Sequence, residues 1–120
     1  MRFTLIAPFF SICLCPTSAM TEASPFPVLG IGTIRCEAFI AYANSDEVEI
    51  KDDLELNVFS WSAGFFSGLN LFATESLVKD LSDSSIEKDA LIARLLGRCY
   101  ENRDATLVEE LAGIYAGLPE

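Results

Sequence analysis

Residues 56–74 carry no charged side chain, and this stretch limits the possible folds more than any other part of the chain. It is long enough to cross a bilayer, and Gly64 and Gly68 have the GxxxG spacing of packed membrane helices. Its asparagines and serines lower the propensity to insert into a membrane, and no cluster of Lys or Arg flanks it. We therefore expect a central helix of a soluble fold, and a membrane-anchored subunit remains an alternative.

Apolar side chains on this predicted helix recur at three- and four-residue steps, and we expect the helix to be buried on most sides. Small residues at four-residue spacing would let a neighbouring helix approach closely, although each interior glycine costs roughly 1 kcal/mol. The expected apolar face consists of Val58, Trp61, Phe65, Leu69 and Phe72, and the small-residue row of Ser60, Gly64 and Gly68. The residues that we expect to pack in the core are Trp61, Gly64, Phe65, Gly68 and Asn70, with the Asn70 amide bonded to backbone.

Residues 1–19 have the pattern of a secretory signal peptide. Arg2 precedes an uncharged and mostly apolar run that ends before Pro16 and is too short to span a bilayer. Small residues then predict cleavage after Ala19, with a cut after Ala23 as the alternative. We therefore expect a periplasmic or secreted protein.

The charge of the remaining chain limits its partners. Removing residues 1–19 leaves seven Lys and Arg against eighteen Asp and Glu, a formal charge of −11. Nucleic acids and anionic lipids need clustered basic residues to neutralise phosphate, and no such cluster is present in the sequence. The expected partner is another protein, and a basic one would complement the charge.

The cysteine count agrees with export. Two of the four cysteines lie in the signal segment, so the mature chain retains Cys36 and Cys99. In an oxidising compartment these two are expected to form a disulfide, with two free thiols as the alternative. The bond would close a loop of about 63 residues and stabilise the domain by roughly 4 kcal/mol in the chain-entropy model.

The apolar pattern as a whole predicts an all-α domain, a small bundle of four helices with room for a short fifth. An extended lead-in over residues 20–32 precedes the helical domain at 33–120. The first helix is expected at about 33–43, followed by a solvated acidic connector at 46–55 and the central helix. One irregular helical turn is expected at about 76–81.

Two further helices are expected near the carboxyl end. Ser84 and Glu87 match a capping box, which predicts a helix that starts there and runs to about Tyr100. Asp104 is the expected N-cap of a final amphipathic helix. The apolar residues of that helix are Leu107, Val108, Leu111, Ile114, Tyr115 and Leu118.

The sequence offers little for catalysis. It contains no histidine, which excludes Ser/His, Cys/His and histidine-based metal sites. The acidic stretch at 46–55 lacks the central glycine and the terminal glutamate of an EF-hand loop. We therefore expect a non-enzymatic protein without a catalytic, cofactor or metal site.

Three sequence segments resemble small periplasmic helical proteins of the HdeA/HdeB type and the related Rap1a/Tai immunity proteins. They are Cys36-Glu37-Ala38-Phe39, the aromatic GxxxG segment at 61–70, and Cys99-Tyr100-Glu101-Asn102. The resemblance covers nearly all of residues 33–118. It implies either an acid-stress chaperone that binds client proteins or, as the alternative, an immunity protein that neutralises a secreted toxin.

Overall fold

The structure is a computed structural model that describes residues 30–120, so the predicted signal peptide and most of the lead-in lie outside the described residues. The four α-helices are α1 (Cys36–Ala43), α2 (Val48–Phe72), α3 (Lys88–Glu101) and α4 (Leu107–Ala116). Short 3-10 turns lie at Gly30–Thr33, Glu75–Leu77 and Ser84–Ile86. Over residues 30–120 there is no strand, only an isolated antiparallel bridge between Arg35 and Thr106. The predicted all-α fold is confirmed.

The core lies around α3, which contacts each of the other three helices. Leu91 and Leu95 on this helix are almost completely buried, and both Cys36 and Cys99 belong to the same apolar cluster. Because the cluster draws on every helix, burial of apolar surface couples their stabilities. Its other buried members are Phe39, Ile40, Val58, Phe66, Ile92, Leu107, Leu111 and Ile114.

Backbone hydrogen bonds join the start of α1 to the start of α4. The Cys36 N–H donates to the Ala105 carbonyl at 2.8 Å, and the Leu107 N–H donates to the Ile34 carbonyl at 2.9 Å. The Glu37 N–H donates to the carbonyl of Arg103 at 3.0 Å. The first N–H groups of these helices lack intrahelical partners, so bonds to the neighbouring segment satisfy some of them.

The acidic stretch at 46–55 is not a connector, and the prediction is wrong on this point. It is helical from Val48 onward, so the central helix begins eight residues earlier than residue 56. The stretch contains no glycine or proline to interrupt a helix, and Lys51 lies 4.0 Å from Glu55 one turn later. Leu54 packs against the core, which anchors this extension to the rest of the fold.

The buried side of α2 also differs from the expected one. The residues that face the core are Val58, Ser62 and Phe66, at four-residue steps, whereas Phe72 is 92% exposed. Ser62 is tolerated there because its hydroxyl donates to the Val58 carbonyl at 2.6 Å. The helix is therefore buried on one side rather than on most sides. No helix among the described residues is both long and apolar enough to cross a membrane.

Both predicted helix caps near the carboxyl end are wrong. Asp83 accepts a hydrogen bond from the Ser85 N–H at 2.8 Å, so Ser84 lies inside a 3-10 turn and α3 starts only at Lys88. At α4 the cap is Thr106, whose backbone N–H donates to the Glu109 carboxylate at 2.7 Å. In both cases an acidic side chain reaches unpaired N–H groups that the expected residue does not reach.

The chain enters the domain through a 3-10 turn at Gly30–Thr33, where an extended segment was expected, and α1 begins at Cys36 rather than at residue 33. Gly30 has a positive φ of 77°, a conformation that side chains with a Cβ rarely adopt. A Cβ on Gly30 would lie 3.6 Å from Nε1 of Trp61. This glycine therefore lets the entering chain turn closely over the side of α2.

Three helical glycines are expected to respond differently to substitution by alanine. A methyl group at Gly64 or Gly97 meets no atom within 4 Å, so each alanine should raise the free energy of unfolding by about 1 kcal/mol. At Gly113 the methyl would collide with the guanidinium of Arg98, whose Nε lies 2.6 Å from the Glu110 carboxylate. Urea unfolding should therefore show no gain for Gly113→Ala, and equal gains at all three positions would contradict the arrangement.

Candidate protein-binding surface

The predicted disulfide is present. Cys36 at the start of α1 and Cys99 in the last turns of α3 are joined with an S–S distance of 2.05 Å, and both are fully buried. The bond lies beside the backbone contacts that tie α1 to α4. A disulfide is compatible with an oxidising compartment outside the cytoplasm. It also fixes the start of α1 to the end of α3.

The aromatic residues predicted for the core lie at its edge. Trp61 and Phe65 are half-buried, and their rings stack with centroids 5.3 Å apart. Gly30 covers the Trp61 ring from the entering chain. The pair therefore packs against the core from the side of α2 without entering its centre.

Asn70 connects three parts of the fold. Its side-chain nitrogen donates to the Lys79 carbonyl at 2.9 Å, and its oxygen accepts from the Lys79 N–H at 2.9 Å. The Tyr115 hydroxyl of α4 donates to the same oxygen at 2.6 Å. The amide is thus bonded to backbone as expected. These two bonds hold Lys79 next to the end of α2. A small set of hydrogen bonds therefore pins both ends of residues 71–78.

The last two residues of α2 and the turn that follows, residues 71–78, carry four large apolar side chains in solvent, and we name this segment the 71–78 loop. Leu71 is 82% exposed and Phe72 is 92% exposed, and Leu77 and Val78 are also exposed. Glu75 supplies the loop's one charged side chain. Exposed apolar residues gathered on a pinned loop are typical of surfaces that bind other molecules. The sequence analysis did not predict this exposed apolar segment. The signal in the sequence is the pair Leu77 and Val78, which directly follows the polar residues 74–76.

Acidic turns follow the 71–78 loop directly. The hydroxyl and backbone N–H of Ser82 donate to Asp80 at 2.6 and 2.9 Å and hold the pKa of Asp80 below its ordinary value. Hydrogen bonds from the side chain and backbone N–H of Ser85 lower the pKa of Asp83 in the same way. A carboxyl group with a lowered folded-state pKa stabilises the fold fully above its ordinary pKa of 3.8. This stabilisation is lost as the pH falls through the folded-state value.

The outward side of α2 is uncovered in the described chain. We name eight exposed residues at helical spacing the open face of α2, and Gly64 lies near its carboxyl end. The predicted close approach of a neighbouring helix does not occur within residues 30–120, since a Cβ at Gly64 or Gly68 would meet no atom within 4 Å. The open face consists of Glu49, Asp52, Asp53, Leu56, Ser60, Ala63, Gly64 and Ser67.

A polar depression of about 590 Å³ opens to solvent between the end of α3 and the start of α4. Several of its side chains already serve the fold. Glu109 caps α4, Glu110 is 5% exposed and pairs with Arg98, and Arg103 lies 5.5 Å from the centre of the Tyr100 ring. We assign these groups to helix capping and packing.

The described residues include no group of three or more Cys, Asp or Glu side chains placed to hold a metal ion. The expectation of a protein without a metal, cofactor or catalytic site stays a prediction. Comparisons of the chain with protein-family models, with curated proteins and with solved structures give no significant match. The resemblance to HdeA/HdeB and Rap1a/Tai proteins likewise stays a prediction.

Proposed function

We propose that the protein is an exported, non-enzymatic protein-binding domain of the acid-stress chaperone type. It holds apolar segments of partly unfolded client proteins on the 71–78 loop. The observation that carries this proposal is the exposure of four large apolar side chains on a loop pinned through Asn70. Contacts with apolar side chains are non-directional, which suits a protein that binds many clients.

The acidic turns after the loop support activation by low pH. Protonation of Asp80 and Asp83 weakens the hydrogen bonds that hold residues 80–86, which adjoin the loop and lead into α3. The excess of carboxylates over basic groups acts in the same direction, because full protonation changes the mature domain from strongly negative to positive. Acid therefore exposes more apolar surface close to the proposed client-binding loop.

The exported, purified protein can be tested with a client enzyme that unfolds in acid and aggregates on neutralisation. We expect the protein to suppress the light scattering of the client after exposure to pH 2–3, with a parallel rise in the fluorescence of an apolar dye bound to the protein. Both effects should begin below about pH 4, where Asp and Glu become protonated. Unchanged dye binding from pH 7 to pH 2, with no effect on client aggregation, would contradict the proposal.

A pair of double variants locates the activity. Replacing Leu71 and Phe72 with serine is expected to remove most of the client protection while leaving the urea midpoint nearly unchanged, since both side chains lie in solvent. Val48 and Ile50, which are exposed at the opposite end of α2, provide the matched control. Equal loss of protection from the two double serine variants would show that the 71–78 loop has no special role.

An immunity protein that occludes a secreted toxin is the second candidate. The observation that favours it is the acidic start of α2, where Glu49, Asp52 and Asp53 are exposed beside apolar Leu56. Such a surface speeds the capture of a basic partner. Stoichiometric recovery of one basic protein with the exported chain at neutral pH, abolished by high salt, would favour this role over the chaperone role.

A further inference from the structure

We propose that the open face of α2 is a docking site for a basic amphipathic helix of a partner protein. The face is separate from the 71–78 loop, and its three carboxylates give it a negative formal charge. From Glu49 to Ser67 it extends about 27 Å along the helix at 1.5 Å per residue. This length matches five turns of a partner helix.

The half of the open face that follows Leu56 suits close helix packing. Ser60, Ala63, Gly64 and Ser67 are small and exposed, so a partner backbone can approach without meeting long side chains. The Ser67 hydroxyl already donates to the Ala63 carbonyl at 2.8 Å, so covering it leaves no unpaired donor. Leu56 is 54% exposed and supplies an apolar side chain for the partner to cover.

The other half of the face sets the charge of the partner. Glu49, Asp52 and Asp53 are exposed in the two helical turns before Leu56, and no basic residue belongs to this face. Lys51 is the one basic residue of α2, and it lies on the opposite side of the helix beside Glu55. A partner with Lys or Arg at one end and small apolar residues at the other complements both halves.

A second copy of this chain fits the face less well. Two parallel copies would bring the carboxylates of Asp52 and Asp53 together, and two antiparallel copies would cover them with an uncharged surface. Neither arrangement gives these carboxylates a cation, so nothing would offset the desolvation cost. The charge pattern therefore favours a basic partner over self-association.

The test uses the full exported chain and two synthetic helical peptides of 18 residues labelled with fluorescein. One peptide has a Leu and Ala face with Lys elsewhere, and the other has Glu in place of every Lys. We expect the anisotropy of the Lys peptide to report binding that weakens with salt, while the Glu peptide binds at least about tenfold more weakly. Equal binding of the two peptides would overturn the proposal.

Variants distinguish binding of the peptide at the open face from its non-specific electrostatic attraction to an acidic protein. The double reversal D52K/D53K and the substitution Gly64→Leu should each raise the dissociation constant of the Lys peptide about tenfold. The matched controls are Glu101→Lys with Asp104→Lys, which makes the same change in net charge, and Gly97→Leu on α3. The controls should change the constant less than about twofold.

Two outcomes would overturn the assignment of the face to a basic partner. If the control charge reversals weaken binding as much as D52K/D53K, the peptide senses only the net charge. If the chain itself forms a dimer in sedimentation experiments and Gly64→Leu abolishes that dimer, a second copy occupies the face. Thermal unfolding of each variant checks that the fold is retained.

Discussion

Replacing Cys36 and Cys99 together with alanine is expected to lower the free energy of unfolding by roughly 4 kcal/mol. The bond spans a sequence separation of 63, and the chain-entropy model assigns a loop of this length roughly 4 kcal/mol. Small domains are stable by only about 5–15 kcal/mol, so the loss is a large share of the total. Alanine is the better replacement because both sites are fully buried, where a serine hydroxyl would need a partner.

Urea unfolding followed by far-ultraviolet circular dichroism measures the effect of the disulfide. The oxidised protein should unfold at a much higher urea concentration than either the reduced protein or the double alanine variant. Dithiothreitol should lower the midpoint of the wild type and leave the variant unchanged, which controls for effects of the reagent. Equal midpoints for the oxidised wild type and the variant would show that the bond contributes nothing to stability.

Phe66→Ala is expected to cost about 3–5 kcal/mol, because it opens a cavity in the core. The Phe66 ring is 2% exposed and packs with its centroid 5.8 Å from that of Tyr115 on α4. Truncation removes a side chain whose packing in the apolar cluster holds α2 to the rest of the bundle. Urea unfolding of the variant should show the midpoint shifted strongly downward with little change in slope.

Phe72→Ala is the matched control on the same helix. Phe72 is 92% exposed, so truncation should change the free energy of unfolding by less than about 0.5 kcal/mol. The pair distinguishes the observed orientation of α2 from the one that the apolar pattern predicts, in which Phe72 faces the core. Similar losses for Phe66→Ala and Phe72→Ala would contradict the observed orientation.

Periodicity predicts the four helices well and the orientation of α2 poorly, for a physical reason. In α4 the apolar residues recur at three- and four-residue steps, and Leu107, Leu111 and Ile114 are buried as expected. In α2 apolar and small residues occur on every side between residues 56 and 72, so the pattern does not select one face. Tertiary packing selects the row with Val58 and Phe66.

The contacts of the candidate surface depend on long-range pairing that local patterns do not encode. The sequence predicted that the Asn70 amide binds backbone, but not that its partner is Lys79 or that Tyr115 shares its oxygen. Without this connection, residues 71–78 have the pattern of an ordinary mixed segment between helices. The open face of α2 was missed because the acidic stretch was assigned to a connector, which hid its continuity with Gly64.

The hydrogen bonds between the start of α1 and the start of α4 determine when the domain can finish folding during its synthesis. Ile34 and Cys36 find their backbone partners only when residues 105–107 have been made. Because these pairings are so distant in sequence, a growing chain cannot complete this part of its fold from local contacts alone. A chain that lacks residues 105–107 therefore leaves the start of α1 without these backbone partners.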